Sequence, residues 1–248
     1  MANISRQRLN QYRSELNALD DDARRYMRAK LAEVIYSGDL ATIRKTAITA
    51  IAEINETYGE GAKFLANEFL EEILSLPTKY YNVIDIDEQQ KKIRWAVGQE
   101  KALAHIEKLA GYAVKRSAFE NLRMNCELNG VKYARIPTGL ETCGFCFMLA
   151  SRGFVYNSAG LAGLNGGYHS NCDCVIVPQK EGLDDDMQVE GYYPSELKEK
   201  YKQARLLFNE DCIKQDVTFE DEKEQIKAMC RYFTSLGNEY LYNGNTTV

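Results

Sequence analysis

The 248-residue sequence contains no apolar run that approaches the roughly 18–20 residues needed to cross a bilayer. Its first residues are polar and carry no apolar core of the kind that signal peptides have. It also lacks internal repeats, low-complexity segments and the Walker, dinucleotide-binding and Gly-x-Ser-x-Gly patterns. These absences argue against membrane, secreted and repeat proteins and against the common nucleotide-binding and hydrolase classes. We expect a chain that folds in a reducing cytoplasm.

Positive charge is also in short supply, since the net charge is −5. Residues 1–96 carry a net charge of −1, residues 97–179 carry +2 and residues 180–248 carry −6. A negatively charged molecule is a poor electrostatic match for nucleic acid. A nucleic-acid-binding module would have to use the middle region, whose local basic group is Lys115, Arg116 and Arg123.

The first third of the sequence has the 3-4 spacing of apolar residues that is typical of amphipathic helices. About four helices are predicted within residues 5–76. Gly38 and Asp39 are predicted to end one helix and to cap the next, because glycine accepts a left-handed conformation and aspartate accepts from free amides. Gly59 is predicted to break the pattern again, and Pro77 to end it.

The helical pattern resumes after a connector predicted at residues 78–92. Residues 93–128 are predicted to form one long helix, with Trp95 among its buried positions. Beyond Pro178 an acidic linker and two further helices are predicted. The first of these should begin at Pro194.

The composition changes between residues 131 and 178, where short runs of strand-forming residues alternate with glycine-rich loops. Three short strands are predicted, at residues 131–136, 154–158 and 172–178. A capping box beginning at Thr138 predicts a short helix from about Gly139. The predicted fold class is therefore α+β and predominantly helical. The predicted domains are a helical region (1–92), a small zinc-stabilised α+β module (93–179) and an acidic helical tail (180–248).

Five of the nine cysteine and histidine residues fall within 32 positions of this module. A C-x2-C pair brings two thiolates to one side of a turn, as a tetrahedral metal requires, and H-x2-C-x-C offers three more donors. Five donors exceed four coordination positions, so one of the last three would lie beside the metal or be simply buried. Bound zinc would stabilise so small a module by roughly 10 kcal/mol. The predicted structural zinc donors are Cys143, Cys146, His169, Cys172 and Cys174.

Two other interpretations of these cysteines stay open. They could be buried reduced thiols beside a core histidine, or they could form a disulfide late, outside a cell. The three cysteines outside the cluster lie on apolar helical patterns and are interpreted as ordinary core residues: Cys126, Cys212 and Cys230.

Two enzyme hypotheses compete with structural zinc. His105-x-Glu107 followed by the C-x2-C pair resembles the motif of zinc-dependent nucleobase deaminases, but Thr142 replaces the motif's proline and His105 lies in a helical pattern. A Cys–His nucleophile pair using His169 would need an orienting group and an oxyanion site that no local signature supplies. We therefore expect no catalytic residues and no enzyme activity.

The string from the 131–136 strand through IPTGLETCGFCFMLASRGFVY to YHSNCDCVIVP resembles the minor head proteins of tailed bacteriophages. These are the proteins similar to the phage Mu F head-morphogenesis protein. The likeness covers about residues 95–180. The five Cys and His residues named above are shared with that family's motif, which leaves their individual roles open.

This resemblance implies structural work in the virion rather than catalysis. It implies a minor capsid protein that associates with portal and major capsid proteins at the portal vertex or in the head interior. It implies the phage head as the location, with the host cytoplasm as the site of assembly. Contact with packaged DNA is a further, weaker implication, and no membrane role is expected.

Overall fold

The computed structural model describes residues 4–82, 84–139, 142–158, 160 and 174–237. No helix within these ranges is both long enough and apolar enough to pass through a membrane. In this part of the chain the elements, in order, are α1 (Arg6–Leu31), α2 (Leu40–Ile54), a π-helical turn (Asn55–Gly59), α3 (Glu60–Leu74), α4 (Ile86–Val97), α5 (Ala102–Leu128), β1 (Tyr133–Pro137), α6 (Gly144–Ala150), β2 (Cys174–Pro178), a 3-10 turn (Asp185–Met187), α7 (Pro194–Lys214) and α8 (Glu222–Ser235).

The described residues separate into two compact units. The first unit contains those within 1–10 and 129–248, and the second contains those within 11–128. Helix α5, which the sequence pattern joined to the cysteine-rich module, packs on α3 and α4 in the second unit. The chain is predominantly helical with one small sheet, so the predicted fold class is confirmed at that level.

Helix α1 is continuous, although the apolar spacing falls into two segments, at residues 9–19 and 23–35, that predicted separate helices; that prediction was wrong. The acidic run in its middle does not break it, because Asp20 is paired with Arg24 one turn later and with Lys115 of α5 at 3.0 Å. Gly111 of α5 allows this approach, since a Cβ there would lie 1.8 Å from an Asp20 carboxylate oxygen. The sequence pattern allows either a bend or a close packing point at Gly111, and the structure shows close packing within a continuous helix.

Asp39 caps α2 as predicted, whereas Gly38 does not end α1, which stops at Leu31 and is followed by a turn at residues 32–36. Gly38 has a φ of +73°, and the Asp39 side chain accepts the Ala41 N–H at 3.0 Å. Gly59 does not break the helical run. The backbone passes through a π-helical turn that ends at Gly59 and continues directly into α3. A side chain at Gly59 would meet the Ser117 hydroxyl, so close packing accounts for this glycine.

The predicted long helix at residues 93–128 is in fact the end of α4 and the whole of α5, joined at residues 98–101. The Gly98 N–H bonds back to the Trp95 carbonyl and ends α4. Asp85 caps α4 by accepting the Glu88 N–H, so this helix begins inside the predicted connector. Trp95 is 58% exposed, contrary to its predicted burial, because the break changes which face of α4 meets α5.

An extended segment before α4 is attached to α5 by side-chain amides. The Asn125 side chain bonds to both the N–H and the carbonyl of Lys79, each at 2.9 Å. The Asn121 side chain accepts the Tyr81 N–H at 2.8 Å and donates to Asn67 of α3 at 2.7 Å. The connector therefore satisfies backbone groups without joining a sheet.

In the first unit, β1 and β2 form an antiparallel pair in which Tyr133 lies opposite Pro178 and Pro137 opposite Cys174. The predicted strand at residues 154–158 appears as a single bridge, in which Tyr156 and Tyr133 exchange backbone hydrogen bonds of 3.1 and 2.9 Å. In the described part of the chain two of the three predicted strands are therefore strands, and the third is reduced to one paired residue.

Helices α7 and α8, predicted as an acidic tail, pack on α6. Pro194 begins α7 as predicted. Phe147 of α6, Tyr201 of α7 and Phe233 of α8 form an aromatic cluster with ring centroids 5.6–6.4 Å apart. The small cysteine-bearing helix thus belongs to a larger packed unit than the sequence predicted.

Candidate functional site

The C-x2-C pair lies at the amino end of α6. Cys143 is the N-cap residue, with extended backbone angles, and its Sγ accepts the Cys146 N–H at 3.4 Å. The capping box predicted to begin at Thr138 therefore does not start this helix. The cap moves to Cys143 because its sulfur is placed to accept a free amide of the first turn.

Cys146 is buried beside a buried cation. The Cys146 side chain is buried within the first unit, where Arg135 of β1 donates from Nη2 to the Cys146 Sγ at 3.8 Å. The Arg135 guanidinium also lies 5.9 Å from the centroid of the Phe145 ring. The Cys146 Sγ thus accepts a hydrogen bond from a fully buried, positively charged side chain.

Cys174 is buried at the start of β2, on the same face of the sheet as Arg135. This follows from the register, because Cys174 lies opposite Pro137 and residues two apart on β1 share a face. The strand predicted at residues 172–178 therefore places Cys174 on the side of the sheet from which Arg135 reaches Cys146.

The carboxyl end of α6 is fixed by hydroxyl groups. The Tyr156 hydroxyl donates to the Leu149 carbonyl and the Tyr192 hydroxyl to the Ala150 carbonyl, each at 2.6 Å. The Ser151 hydroxyl donates to the Met148 carbonyl at 2.8 Å. Burial raises the pKa of Tyr156 to about 12, so it stays a donor at neutral pH. Free carbonyls that would otherwise be costly to bury are thereby paired.

Helix α8 covers the amino end of α6. The Gly144 N–H donates to the Thr234 hydroxyl at 2.8 Å. A Cβ at Gly144 would lie 2.1 Å from the Cys230 carbonyl oxygen and 2.7 Å from the Phe233 Cβ. Burial, together with the neighbouring Cys143 thiol, raises the pKa of Cys230 to about 11. Cys230 is therefore a thiol next to the C-x2-C turn rather than an ordinary core residue.

Three of the five predicted zinc donors, Cys143, Cys146 and Cys174, lie in this unit. His169 and Cys172 fall outside the described residues. Among the residues that the structure does describe, no three Cys, His, Asp or Glu side chains are grouped closely enough to hold a metal ion. The donor chemistry nevertheless fits zinc, because soft sulfur paired on one turn beside a cation suits a thiolate-bound metal. The zinc site stays a prediction.

The His and Glu residues of the deaminase hypothesis lie in the second unit and make other contacts there. His105 and Glu107 lie on α5 in the second unit, whereas the C-x2-C pair lies in the first. Arg28 donates two hydrogen bonds, of 2.8 and 2.7 Å, to the Glu107 carboxylate. The His105 ring contacts Trp95 edge-on. The Glu107 carboxylate is thus already engaged by a guanidinium of its own unit.

The basic group considered for nucleic acid is paired with carboxylates within the second unit. Lys115 pairs with Asp20, and Arg116 with Glu88 at 2.9 Å. Arg123 lies between Glu120 and Glu127, and the side chains of Arg123 and of these two partners are largely buried. Cations that are paired with internal carboxylates contribute little to the binding of a phosphate backbone.

Sequence reasoning missed Arg135 and Cys230 as neighbours of the cysteines. The sequence does contain a sign that Arg135 is unusual, since this charged residue lies in a run of strand-forming residues whose neighbours on the same face should be buried. Cys230 has no local signal, because it meets Cys143 only after a separation of 87 positions along the chain.

The family model described as VG15 protein matches residues 3–204 of the chain. The Gene 15 protein of Mycobacterium phage L5 is similar to it, at 33% identity over 82 residues; the match covers 18% of this chain and 28% of the phage protein. The chain thus spans well under two thirds of that relative's length. No solved structure matches the chain.

Proposed function

The chain belongs to the VG15 protein family and is a bacteriophage protein, and on this premise we propose that it is a structural minor capsid protein of a tailed phage. It works at the portal vertex or in the head interior, with portal and major capsid proteins as partners and without catalysis. The observation that carries the proposal is the family match, because it spans both compact units and the cysteine-bearing helix.

The likeness of residues 95–180 to Mu F-like head-morphogenesis proteins supports the finer assignment to head assembly. The construction of the site supports a structural role as well. Both ends of α6 are held by hydrogen bonds, and its neighbours are packed aromatic rings. A helix fixed so completely suits a rigid scaffold better than a site that must open for a substrate.

We further propose that four of the five predicted donors hold one structural zinc ion. Cys143 and Cys146 supply a thiolate pair on one turn, and Cys174 supplies a third thiolate beside the same buried guanidinium. Zinc would add a tetrahedral cross-link between α6 and the strand β2. Because α6 is already held by hydroxyl groups and by α8, zinc adds to the stability of the unit without being its sole support.

Co-purification tests the assembly role. A tagged chain expressed during phage infection should recover the portal protein from procapsids, along with smaller amounts of major capsid protein. A variant truncated before residue 129 lacks the cysteine-bearing unit and is the comparison that assigns the contact to a unit. Recovery of neither portal nor capsid protein by the full chain would contradict the proposal.

Metal analysis tests the zinc site separately. Protein purified without chelators should contain about one zinc per chain, and Cys143→Ser should lose most of it. Cys212→Ser is the matched control, since Cys212 lies at the end of α7 and is not among the predicted donors. Wild-type protein with no bound metal that still unfolds cooperatively would remove zinc from the account and leave the assembly role standing.

A further inference from the structure

A cavity of about 200 Å³ lies in the second unit, where α2, the π-helical turn and the start of α4 come together. Four isoleucines of α2, of the segment before α4 and of its first residue form the apolar wall: Ile48, Ile51, Ile84 and Ile86. The π-helical turn contributes Asn55 and Glu56. Such turns widen a helix locally and are frequent at functional sites. The cavity is therefore a candidate binding site that does not involve the cysteine-bearing helix.

Two side-chain amides and one ammonium group form the buried polar part of the lining. Asn55 Nδ2 donates to Gln89 Oε1 at 2.8 Å, and Gln89 Nε2 donates to Asn55 Oδ1 at 3.3 Å. Each amide uses one N–H in this pair and carries a second. Lys63 is 2% exposed and donates to Glu60 Oε1 at 2.7 Å. The polar part of the lining thus contains both hydrogen-bond donors and hydrogen-bond acceptors.

The charges of the lining disfavour an ionised occupant. Lys63 is already paired with Glu60, and Glu56 adds a further carboxylate at an exposed position. An anion would meet two carboxylates, and a cation at the buried end would lie beside the Lys63 ammonium. Burying one more charge there carries a large desolvation cost. An uncharged head group that both donates and accepts hydrogen bonds, such as a hydroxyl, suits this lining best.

The volume of the cavity points to one side chain rather than to a small-molecule ligand. Sites for drug-sized ligands measure about 300–1,000 Å³, which is larger than this cavity. An apolar cavity of about 150 Å³ holds one benzene molecule. The cavity therefore has room for one aromatic ring that carries a hydroxyl group.

We propose that this cavity is a docking pocket for one tyrosine side chain of a partner protein. The ring packs on the isoleucine wall, and the phenol hydroxyl binds at the polar part of the lining. Exposed residues surround the mouth, where the backbone of the partner would cover them: Ala52, Glu56, Glu60 and Ile86. Tyrosine is among the residues that carry most of the binding energy at protein interfaces.

Two capped amino acids that differ by one hydroxyl test the pocket. N-acetyltyrosinamide and N-acetylphenylalaninamide are titrated into the full chain, and NMR follows its isotope-labelled isoleucine methyl groups. We expect N-acetyltyrosinamide to shift the signals of the four wall isoleucines with a Kd on the order of 1 mM. N-acetylphenylalaninamide should bind at least about fivefold more weakly, because it leaves the polar lining without a partner. Unshifted wall methyls, or equal binding of the two compounds, would overturn the proposal.

A blocked variant assigns the binding to the cavity. Ala52→Trp places a large side chain at the mouth from an exposed helical position, so it should abolish the shifts while α2 stays folded. Ala41→Trp is the matched control, since Ala41 is exposed on the same helix and does not line the cavity. It should bind N-acetyltyrosinamide as wild type does, and circular dichroism checks that both variants are folded. Undiminished binding by Ala52→Trp would place the compound elsewhere and contradict the docking pocket.

Free tyrosine separates a protein partner from a metabolite. It carries charged amino and carboxylate groups, whereas a tyrosine within a chain has amide groups in their place, as N-acetyltyrosinamide does. The capped compound should therefore bind more tightly than free tyrosine. Tighter binding of free tyrosine would identify a metabolite site and rule out the docking role. Either failure would leave the assembly role standing, since that role is carried by the family match.

Discussion

Asn125 binds both backbone polar groups of Lys79, accepting its N–H and donating to its carbonyl at 2.9 Å each. One side-chain amide of α5 thus takes the place of a neighbouring β-strand for this residue. The same amide donates to the Asn121 carbonyl at 2.9 Å within α5. The extended segment before α4 is therefore attached to α5 by these hydrogen bonds, and a single substitution tests the attachment.

Asn125→Ala should lower the free energy of unfolding by about 2 kcal/mol. The substitution removes both bonds to Lys79 and leaves their backbone partners to find water in a partly buried place. Urea titration followed by circular dichroism measures the change. Asn209→Ala is the matched control, because Asn209 is exposed on α7 and its loss should change stability by less than about 0.5 kcal/mol. Equal losses for the two variants would contradict the assigned role of Asn125.

Gly144→Ala should destabilise the first unit by about 1–3 kcal/mol. The added methyl would meet the Cys230 carbonyl and the Phe233 side chain, so α8 must move away from α6. Thermal unfolding measures the loss. Gly61→Ala near the start of α3 is the control, since its nearest neighbour would be the Leu19 side chain at an ordinary 3.5 Å. If Gly144→Ala is as stable as wild type, the contact between α6 and α8 is not as close as described.

Stability should fall with pH above about 10 because of Tyr156. Burial raises the pKa of this residue to about 12 in the folded chain, against about 10 in the unfolded chain. Its contribution is complete below pH 10 and is lost as the pH rises to 12, since only the unfolded chain ionises in that window. The loss is on the order of 2 kcal/mol at the upper end.

Urea titrations at pH 9, 10 and 11 measure this dependence. Tyr156→Phe should be less stable at pH 9, because the Leu149 carbonyl loses its donor. Its stability should then fall less steeply with pH than that of wild type. Parallel pH profiles for the two proteins would show that Tyr156 does not titrate as described.

Cys126 should be the slowest cysteine of the described residues to alkylate in the folded chain. Burial in α5 raises its pKa to about 12, so almost none of it is thiolate at pH 8. Cys212 is partly exposed on α7 and serves as the internal comparison. Iodoacetamide labelling followed by mass spectrometry should show Cys126 reacting at least about tenfold more slowly. Comparable rates would mean that α5 opens readily.

Helix ends with a local chemical cause were predictable from the sequence. Asp39 caps α2 through a bond to a backbone amide two residues away, and Pro194 needs no partner at the first turn of α7. Neither feature depends on the rest of the fold. The strand at residues 133–137 was similarly readable, because its composition and its burial agree.

Features set by distant packing were not predictable. The helical pattern through Trp95 does not reveal the break at Gly98, since an exposed tryptophan and a buried one give the same spacing. Gly59, the last residue of the π-helical turn before α3, packs against Ser117, which lies 58 positions later. The sequence offers no local sign of either.

The candidate site was predictable as a set of residue types but not as an arrangement. The C-x2-C spacing indicated paired thiols on one turn, and the structure places Cys143 and Cys146 so. The roles of Arg135 and Cys230 depend on strand register and on how α8 packs, which a single sequence does not encode locally. His169 and Cys172 stay predictions.

Quantitative mass spectrometry of gradient-purified virions tests the proposed role most directly. The account predicts that this protein is present in intact particles at a few copies each, far below the major capsid protein and close to the number of portal subunits. It also predicts that the protein stays with empty heads after mild disruption. Particles that are fully infectious and contain none of this protein would contradict the assignment to the virion.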